Sequence, residues 1–203
     1  HGHFQLDDAV HKYIPSFGDL RVYEGGNHPL FATRPAERPM TIRDLLTHTS
    51  GLTYGFMERT NVDRAYRKLG IGDRGATLAE TVEKLARLPL EFSPGTRWNY
   101  SVSTDVIGHL IERISGKPLD AFLRDEIFAK LGMRDTGFHV PADRLARLAT
   151  NYTRMPDKSV RIEDDPAASA YAAEPAYLSG GGGLVSTASD YLRFCQMLLN
   201  EGE

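Results

Sequence analysis

The chain has 203 residues, of which 41% are hydrophobic and 25% charged, a composition typical of a folded globular domain. Its 27 acidic and 24 basic residues leave a formal net charge of -3, which argues against a nucleic-acid partner and against a polybasic membrane patch. The sequence contains no apolar run long enough to span a bilayer, no signal peptide and no internal repeat. We therefore expect a single folded unit over residues 1–203.

Capping residues predict short helices in the first half of the chain. Thr41 with Asp44 approximates a capping box, in which each residue bonds the other's backbone N–H, and Thr77 with Glu80 forms a complete one. Each pair precedes apolar residues at helical spacing. Residues 59–69 are a weaker helical candidate.

Glycine, proline and a polar turn mark the ends of the predicted elements in the second half of the chain. A long helix ends before Gly116, and Pro118 starts another that runs to Gly132. Residues 149–153 and 159–163 alternate around a polar turn, so they predict a small β-hairpin. The sequence therefore predicts a mainly α chain with one small hairpin.

An irregular loop rich in Ala and Pro is expected over residues 164–177, and Ser186 or Thr187 then caps the last helix. Cys195, the only cysteine, excludes an intrachain disulfide and fits a reducing compartment only loosely. Localisation stays open, with the cytoplasm slightly favoured over the periplasm. Because the thiol lies on an apolar helix face, we expect it to be buried and structural. That face consists of Tyr191, Phe194, Cys195, Leu198 and Leu199.

The most informative stretch is Trp98-Asn99-Tyr100-Ser101-Val102-Ser103, which precedes a strongly amphipathic pattern. We expect Tyr100 on the first turn of this helix, with Asn99 or Ser101 as its cap. The positive end of the helix dipole favours a phenolate there, which suits a tyrosine general base. A tyrosine that merely packs at the helix entry fits the same pattern. The predicted buried stripe of the helix consists of Val102, Val106, Ile107, Leu110, Ile111 and Ile114.

Three further blocks accompany the tyrosine. Residues 41–52 read TIRDLLTHTSGL, residues 91–96 read EFSPGT, and residues 178–187 read LSGGGGLVST. In this order and spacing, and together with Tyr100, they resemble the serine beta-lactamase-like hydrolases. The resemblance is strongest to the family VIII carboxylesterase branch near class C beta-lactamases, and it extends across nearly the whole chain.

The resemblance implies a serine enzyme with three active-site motifs: Ser-x-x-Lys, the motif that begins with Tyr100, and a third strand beside the oxyanion hole. Only the second occurs here, since no lysine of the chain has a serine three places before it. We therefore expect an internal part of a larger enzyme, largely its helical region, without most of the central antiparallel sheet. We also expect the isolated chain to be inactive. Tyr100 is the predicted catalytic residue.

The predicted substrate pocket is lined by Ser101, Val102, Ser103, Gly181 and Gly182. In class C beta-lactamases the position of Val102 is usually an asparagine that bonds the substrate amide, and a valine cannot do so. This favours an esterase or transesterase over an efficient beta-lactamase. A beta-lactamase, a penicillin-binding D-Ala-D-Ala peptidase relative and a noncatalytic helical binding domain remain alternatives.

Other polar residues are better explained by structure than by chemistry. His48 is expected to form hydrogen bonds at a helix end, outside the reaction. The histidines form no metal-binding pattern. The glycines at 180–183 lack the lysine of a phosphate loop, so we expect them to let the backbone pass close to the interdomain cleft instead. We predict no metal and no cofactor. The expected partners are a small-molecule ester and, through an exposed apolar surface, a second copy of the chain.

Overall fold

The computed structural model describes residues 2–202, so the two ends of the predicted unit, His1 and Glu203, lie outside the described residues. Contacts divide the chain into two compact units. The first comprises the chain up to Phe122 together with Ala176–Gly182, and the second comprises Leu123–Pro175 and the chain from Gly183 onward.

The first unit contains a hairpin that the sequence did not predict. Strand β1 (Arg21–Asn27) pairs antiparallel with β2 (Leu30–Pro35). Two glycines interrupt the alternation of β1, which weakens any strand signal. The hairpin is held from outside, because the Tyr23 N–H donates to the Leu90 carbonyl at 2.8 Å. A mainly α description of the chain is therefore incomplete.

Three short helices follow, and each begins at a capping box. They are α1 (Ile42–Leu46), α2 (Asn61–Lys68) and α3 (Leu78–Leu85), with N-caps Thr41, Thr60 and Thr77. All three predicted helices are confirmed, and the weaker candidate is shorter than expected. In each box the threonine hydroxyl accepts the N3 backbone N–H while the N3 carboxylate accepts the cap's own N–H.

The long predicted helix is α4 (Ser103–Ser115), and it ends as expected at Gly116, whose φ of 69° is left-handed. Helix α5 (Leu119–Leu123) continues through a π-helical turn (Arg124–Phe128) into α6 (Ala129–Leu131). The core of the first unit gathers apolar side chains from β1, the helices and the loops between them. It includes Val10, Val22, Leu45, Leu52, Val62, Leu85, Leu90, Val102, Val106 and Leu110.

The second unit contains the predicted hairpin, formed by β3 (Asn151–Arg154) and β4 (Val160–Asp164). Short 3₁₀ turns occupy much of the remainder: Ala142–Arg147, Pro166–Ala168 and Ala170–Ala172. The last helix is α7 (Ala188–Leu199). Its N-cap is Thr187, one of the two predicted caps, and the Thr187 hydroxyl accepts the Asp190 N–H.

The predicted burial of Cys195 is wrong, because the thiol is exposed. Its apolar face is also largely open: Tyr191 is 62% and Leu199 77% exposed. Helix α7 is instead anchored by Asp190, which is buried and accepts the Asp135 N–H at 2.7 Å. Helical spacing defines which residues share a face, whereas burial also needs an element packed on that face.

Candidate functional site

Tyr100 lies before α4, two residues ahead of its N-cap, so the expectation that it sits on the first helical turn is wrong. The N-cap is Val102, which makes no side-chain capping bond. Along this segment exposure alternates: Tyr100 is 41% exposed, whereas Asn99 and Ser101 on either side are buried. Burial of the two neighbours holds this segment against the protein and leaves the Tyr100 side chain partly exposed to solvent.

Backbone pairing holds the tyrosine segment against residues 48–53. The Asn99 N–H donates to the His48 carbonyl at 2.9 Å, and the Val102 N–H donates to the Thr53 carbonyl at 3.2 Å. The Asn99 amide adds a bond of 3.0 Å to the Leu52 carbonyl. Tyr100 is thus bracketed by residues that are tied to the core.

A second polar network supports Asn99 from the other side. The Arg59 guanidinium donates to Asn99 Oδ1 at 2.8 Å. The Glu91 carboxylate, at the start of the EFSPGT block, accepts the Thr60 hydroxyl at 2.6 Å and approaches the Asn99 amide at 3.5 Å. Burial raises the pKa of Glu91, and the hydrogen bond from Thr60 opposes this rise. This block therefore contributes support for the tyrosine segment.

Two aromatic rings contact the Tyr100 ring. Those of His48 and Tyr54 lie 5.1 Å and 5.0 Å from it between centroids. Tyr54 in turn stacks on Phe56 at 4.7 Å. Burial, followed by the charge of Asp105, raises the pKa of the Tyr54 phenol, so Tyr54 remains protonated at neutral pH.

A buried carboxylate joins α4 to the glycine-rich block. Asp105 accepts the Ser179 hydroxyl at 2.5 Å, the Gly181 N–H at 3.4 Å and the Tyr54 hydroxyl at 3.5 Å. Burial, and then the Asp105 charge, raises the pKa of the nearby Tyr177 phenol. Through Asp105, the glycine-rich block is connected to an aromatic neighbour of Tyr100.

Gly180 and Gly181 approach α4 closely. A Cβ on Gly180 would lie 2.1 Å from the Thr104 carbonyl oxygen, and one on Gly181 would lie 2.6 Å from Thr104 Oγ1 and 2.9 Å from the Tyr54 hydroxyl. Gly182 has open space around it instead. Of the two glycines predicted in the pocket, only Gly181 is packed beside Tyr54, the aromatic neighbour of Tyr100.

The remaining predicted pocket residues face inward. Ser101 and Ser103 are 0% and Val102 2% exposed. Val102 belongs to the apolar core. The serine hydroxyls bond each other at 2.7 Å. In this structure these three side chains support the site from beneath and have no surface for a dissolved substrate.

Three residues around Tyr100 are absent from the predicted site: His48, Tyr54 and Asp105. The sequence predicts His48 outside the reaction, yet its ring packs on the Tyr100 ring. Tyr54 and Asp105 have no predicted role, although Tyr54 lies two residues after the block that ends at Leu52 and Asp105 lies five residues after Tyr100. Their closeness to recognised blocks was the only signal, since their contacts depend on chain folding.

Within residues 2–202, no three His, Cys, Asp or Glu side chains come together as a possible metal site. No helix in the described part of the chain has both the length and the apolar character needed to cross a membrane.

Comparison with known proteins supplies a family. "Esterase EstB" from Burkholderia gladioli is 37% identical over 210 residues, covering 95% of this chain and 50% of that protein. "Protein Rv1367c" from Mycobacterium tuberculosis is 40% identical over 201 residues, covering 99% of this chain and 49% of that protein. The solved structure of "EstCE1, a hydrolase with promiscuous acyltransferase activity" matches with a TM-score of 0.76 and 27% identity, covering 100% of this chain and 54% of that one.

The chain thus spans about half the length of these relatives. The Beta-lactamase family model matches residues 1–203, in agreement with the resemblance carried by the Tyr100 segment and the three blocks around it. This chain belongs to the Beta-lactamase family.

Proposed function

We propose that this chain is part of a serine hydrolase that cleaves carboxylic esters through a covalent acyl-enzyme, with Tyr100 in the role of proton acceptor. The observation that carries the proposal is the position of the Tyr100 side chain. Tyr100 is exposed, while Asn99 and Ser101 on either side are buried and hydrogen-bonded. A general base must be held within hydrogen-bond reach of the proton that it removes.

In the proposed reaction a serine outside this chain attacks the ester carbonyl carbon. Its proton passes to Tyr100, a task shared with a lysine that also lies outside the chain. When the tetrahedral intermediate collapses, the carbon–oxygen bond to the alcohol breaks and the alcohol leaves with a proton. Water then attacks the acyl-enzyme and releases the acid, or a second alcohol takes the acyl group.

Two observations favour esters over β-lactams. "Esterase EstB" and the hydrolase EstCE1 with acyltransferase activity are among the similar proteins. In addition, Val102 offers no amide where class C beta-lactamases usually have asparagine, and it is buried in the core. A site that lacks a polar partner for the substrate amide discriminates poorly in favour of that amide.

The test is a Tyr100→Phe substitution in the complete protein, assayed with p-nitrophenyl butyrate. Loss of a positioned general base should lower the acylation rate by about 10²–10⁴-fold. The melting temperature should stay unchanged because the ring remains. Tyr152→Phe is the matched control, since Tyr152 is exposed at 57% in the second unit. Unaltered turnover in Tyr100→Phe would overturn the proposal.

Substrate class is tested on the same preparation. Ester hydrolysis should exceed hydrolysis of a chromogenic cephalosporin, whereas the reverse order would favour the beta-lactamase alternative. Labelling of the active serine by a fluorescent penicillin, without ester turnover, would favour a penicillin-binding relative. The isolated chain should show no turnover, because residues 1–203 contain no Ser-x-x-Lys sequence. If the isolated chain hydrolysed the ester, and Tyr100→Phe abolished that hydrolysis, this expectation would be wrong.

A further inference from the structure

His48 has an unusual backbone conformation for its residue type. It follows α1 with φ 56°, in the left-handed region that few residues other than glycine enter, although Asn, Asp and His are enriched there. The turn directs its carbonyl to the Asn99 N–H and its ring to the tyrosine segment. Besides Tyr100, the ring meets Trp98 edge-on, at 6.3 Å between centroids. His48 therefore contacts the tyrosine segment through both backbone and side chain.

The His48 ring also ends a chain of buried hydroxyl groups. Its Nδ1 lies 3.3 Å from Ser101 Oγ, which lies 2.7 Å from Ser103 Oγ, which lies 2.7 Å from Ser50 Oγ. All three serines are 0% exposed. Their hydroxyl protons must therefore find acceptors within the protein.

Only one direction of donation along this series of hydrogen bonds gives every hydroxyl proton an acceptor. Ser50 Oγ accepts the Leu52 N–H, and its own proton has a single acceptor among the described residues, Ser103. Ser103 must then donate to Ser101, and Ser101 to His48 Nδ1. The arrangement requires an unprotonated Nδ1. A proton there would reverse the chain and leave the Ser50 hydroxyl buried without an acceptor.

We propose that His48 is a positioning residue for Tyr100, held as the neutral Nε2–H tautomer by this one-way chain of serine hydroxyls and fixing the tyrosine segment through its ring and its carbonyl. The inference rests on the proposed function for its catalytic consequence. His48 acts through Tyr100 and takes no proton from the substrate or the nucleophile.

Protonation of His48 should loosen the tyrosine segment. Among the described residues no carboxylate or cation pairs with the ring: the titratable groups that face it are the Tyr100 phenol and, one ring further, Tyr54. Burial lowers the pKa of His48 below its ordinary 6.5. The serine chain acts in the same direction, since it bonds the neutral form. The hydrogen bond from Ser101 to His48 Nδ1 is therefore present at neutral pH and is lost only under more acidic conditions.

The first test reads the imidazole nitrogens by ¹⁵N NMR on the 203-residue chain. We expect His48 Nδ1 to be unprotonated and Nε2 protonated, with a pKa below 6.5. Ser101→Ala removes the donor to the neutral ring, so it should raise this pKa and mix the tautomers. Ser159→Ala, in the exposed hairpin turn, is the control and should change neither. A Nδ1–H tautomer in the unmodified chain, or no response to Ser101→Ala, would overturn the inference.

The second test compares two substitutions in the complete protein. His48→Leu keeps bulk but removes the acceptor and disfavours the left-handed backbone, so kcat should fall by about 10–100-fold, as expected for a displaced catalytic group. In His48→Asn, Oδ1 replaces Nδ1 as acceptor and the left-handed conformation is tolerated. We expect His48→Asn to recover part of the lost rate, because the acceptor and the backbone conformation are kept while the ring contact with Tyr100 is lost. It should also remove the His48 contribution from the acidic limb of the pH profile.

Melting temperatures of both variants separate unfolding from mispositioning. Equal loss of kcat in two folded variants would contradict the positioning role. The nitrogen shifts do not depend on catalysis. Nitrogen shifts that show a protonated Nδ1 would overturn this inference alone, whereas wild-type turnover in Tyr100→Phe would overturn the proposed function.

Discussion

Gly180 and Gly182 provide a matched pair that tests how the glycine-rich block packs on α4. A Cβ at Gly180 would lie 2.1 Å from the Thr104 carbonyl oxygen and 3.1 Å from the Gly108 nitrogen. Both are backbone atoms of a helix, so neither can rotate away. At Gly182 a Cβ would meet nothing within 4 Å, and its φ lies outside the left-handed region.

The two substitutions should therefore differ in their effect on the free energy of unfolding. Gly180→Ala forces backbone atoms apart, which costs about 1–3 kcal/mol in a packed site. For a chain of this size each kcal/mol lowers the melting temperature by about 2–4 °C, so a decrease of about 2–12 °C is expected. Gly182→Ala should be neutral or stabilise by up to about 1 kcal/mol, because alanine narrows the unfolded ensemble.

Both variants are measured by thermal melting and urea unfolding with circular dichroism. The midpoint should decrease for Gly180→Ala and not for Gly182→Ala. Equal midpoints would refute the packing of residues 178–182 on α4 and, with it, the link between this block and the tyrosine cluster.

Three further outcomes are expected. Val102→Asn should destabilise the chain by about 1–3 kcal/mol because it buries an amide in an apolar core; unchanged urea unfolding would mean that position 102 faces solvent. Hydrogen bonds from Lys12, the Gln5 backbone and Tyr13 lower the pKa of the Asp8 carboxyl from 3.8 to about 2. Asp8 therefore stabilises the fold above about pH 4, and this advantage over Asp8→Asn should vanish as the pH falls to about 2; a ¹³C titration midpoint near 3.8 would contradict it. Cys195 should react rapidly with a thiol reagent under native conditions because it is exposed, and protection until unfolding would show that the thiol is covered.

Local signals were sufficient for much of the fold. The capping box at Thr77 and Glu80, and the glycine that ends α4, were read correctly because each depends on residues within one helical turn. The hairpin of β3 and β4 was also predicted to within two residues, since its alternation and its turn are adjacent in the chain. The order of blocks around Tyr100 was sufficient to recognise the family.

Long-range packing accounts for the failures. The β1–β2 hairpin is stabilised by a backbone bond between Tyr23 and Leu90, which no local pattern around the glycines of β1 reveals. Cys195 lies on an apolar helix face, but nothing in helical spacing says whether another element covers that face.

For the site, the sequence by itself determined which residue is the candidate base, because Tyr100 is recognised by the blocks that flank it. Only the tertiary structure decided what surrounds it. Adjacency to Tyr100 predicts Ser101, Val102 and Ser103 as pocket residues, yet all three side chains are buried. His48 was set aside, yet the segment after α1 brings it against the tyrosine from 52 positions away. Adjacency in sequence does not set the direction of a side chain, because that direction follows from backbone conformation and from the elements packed around it.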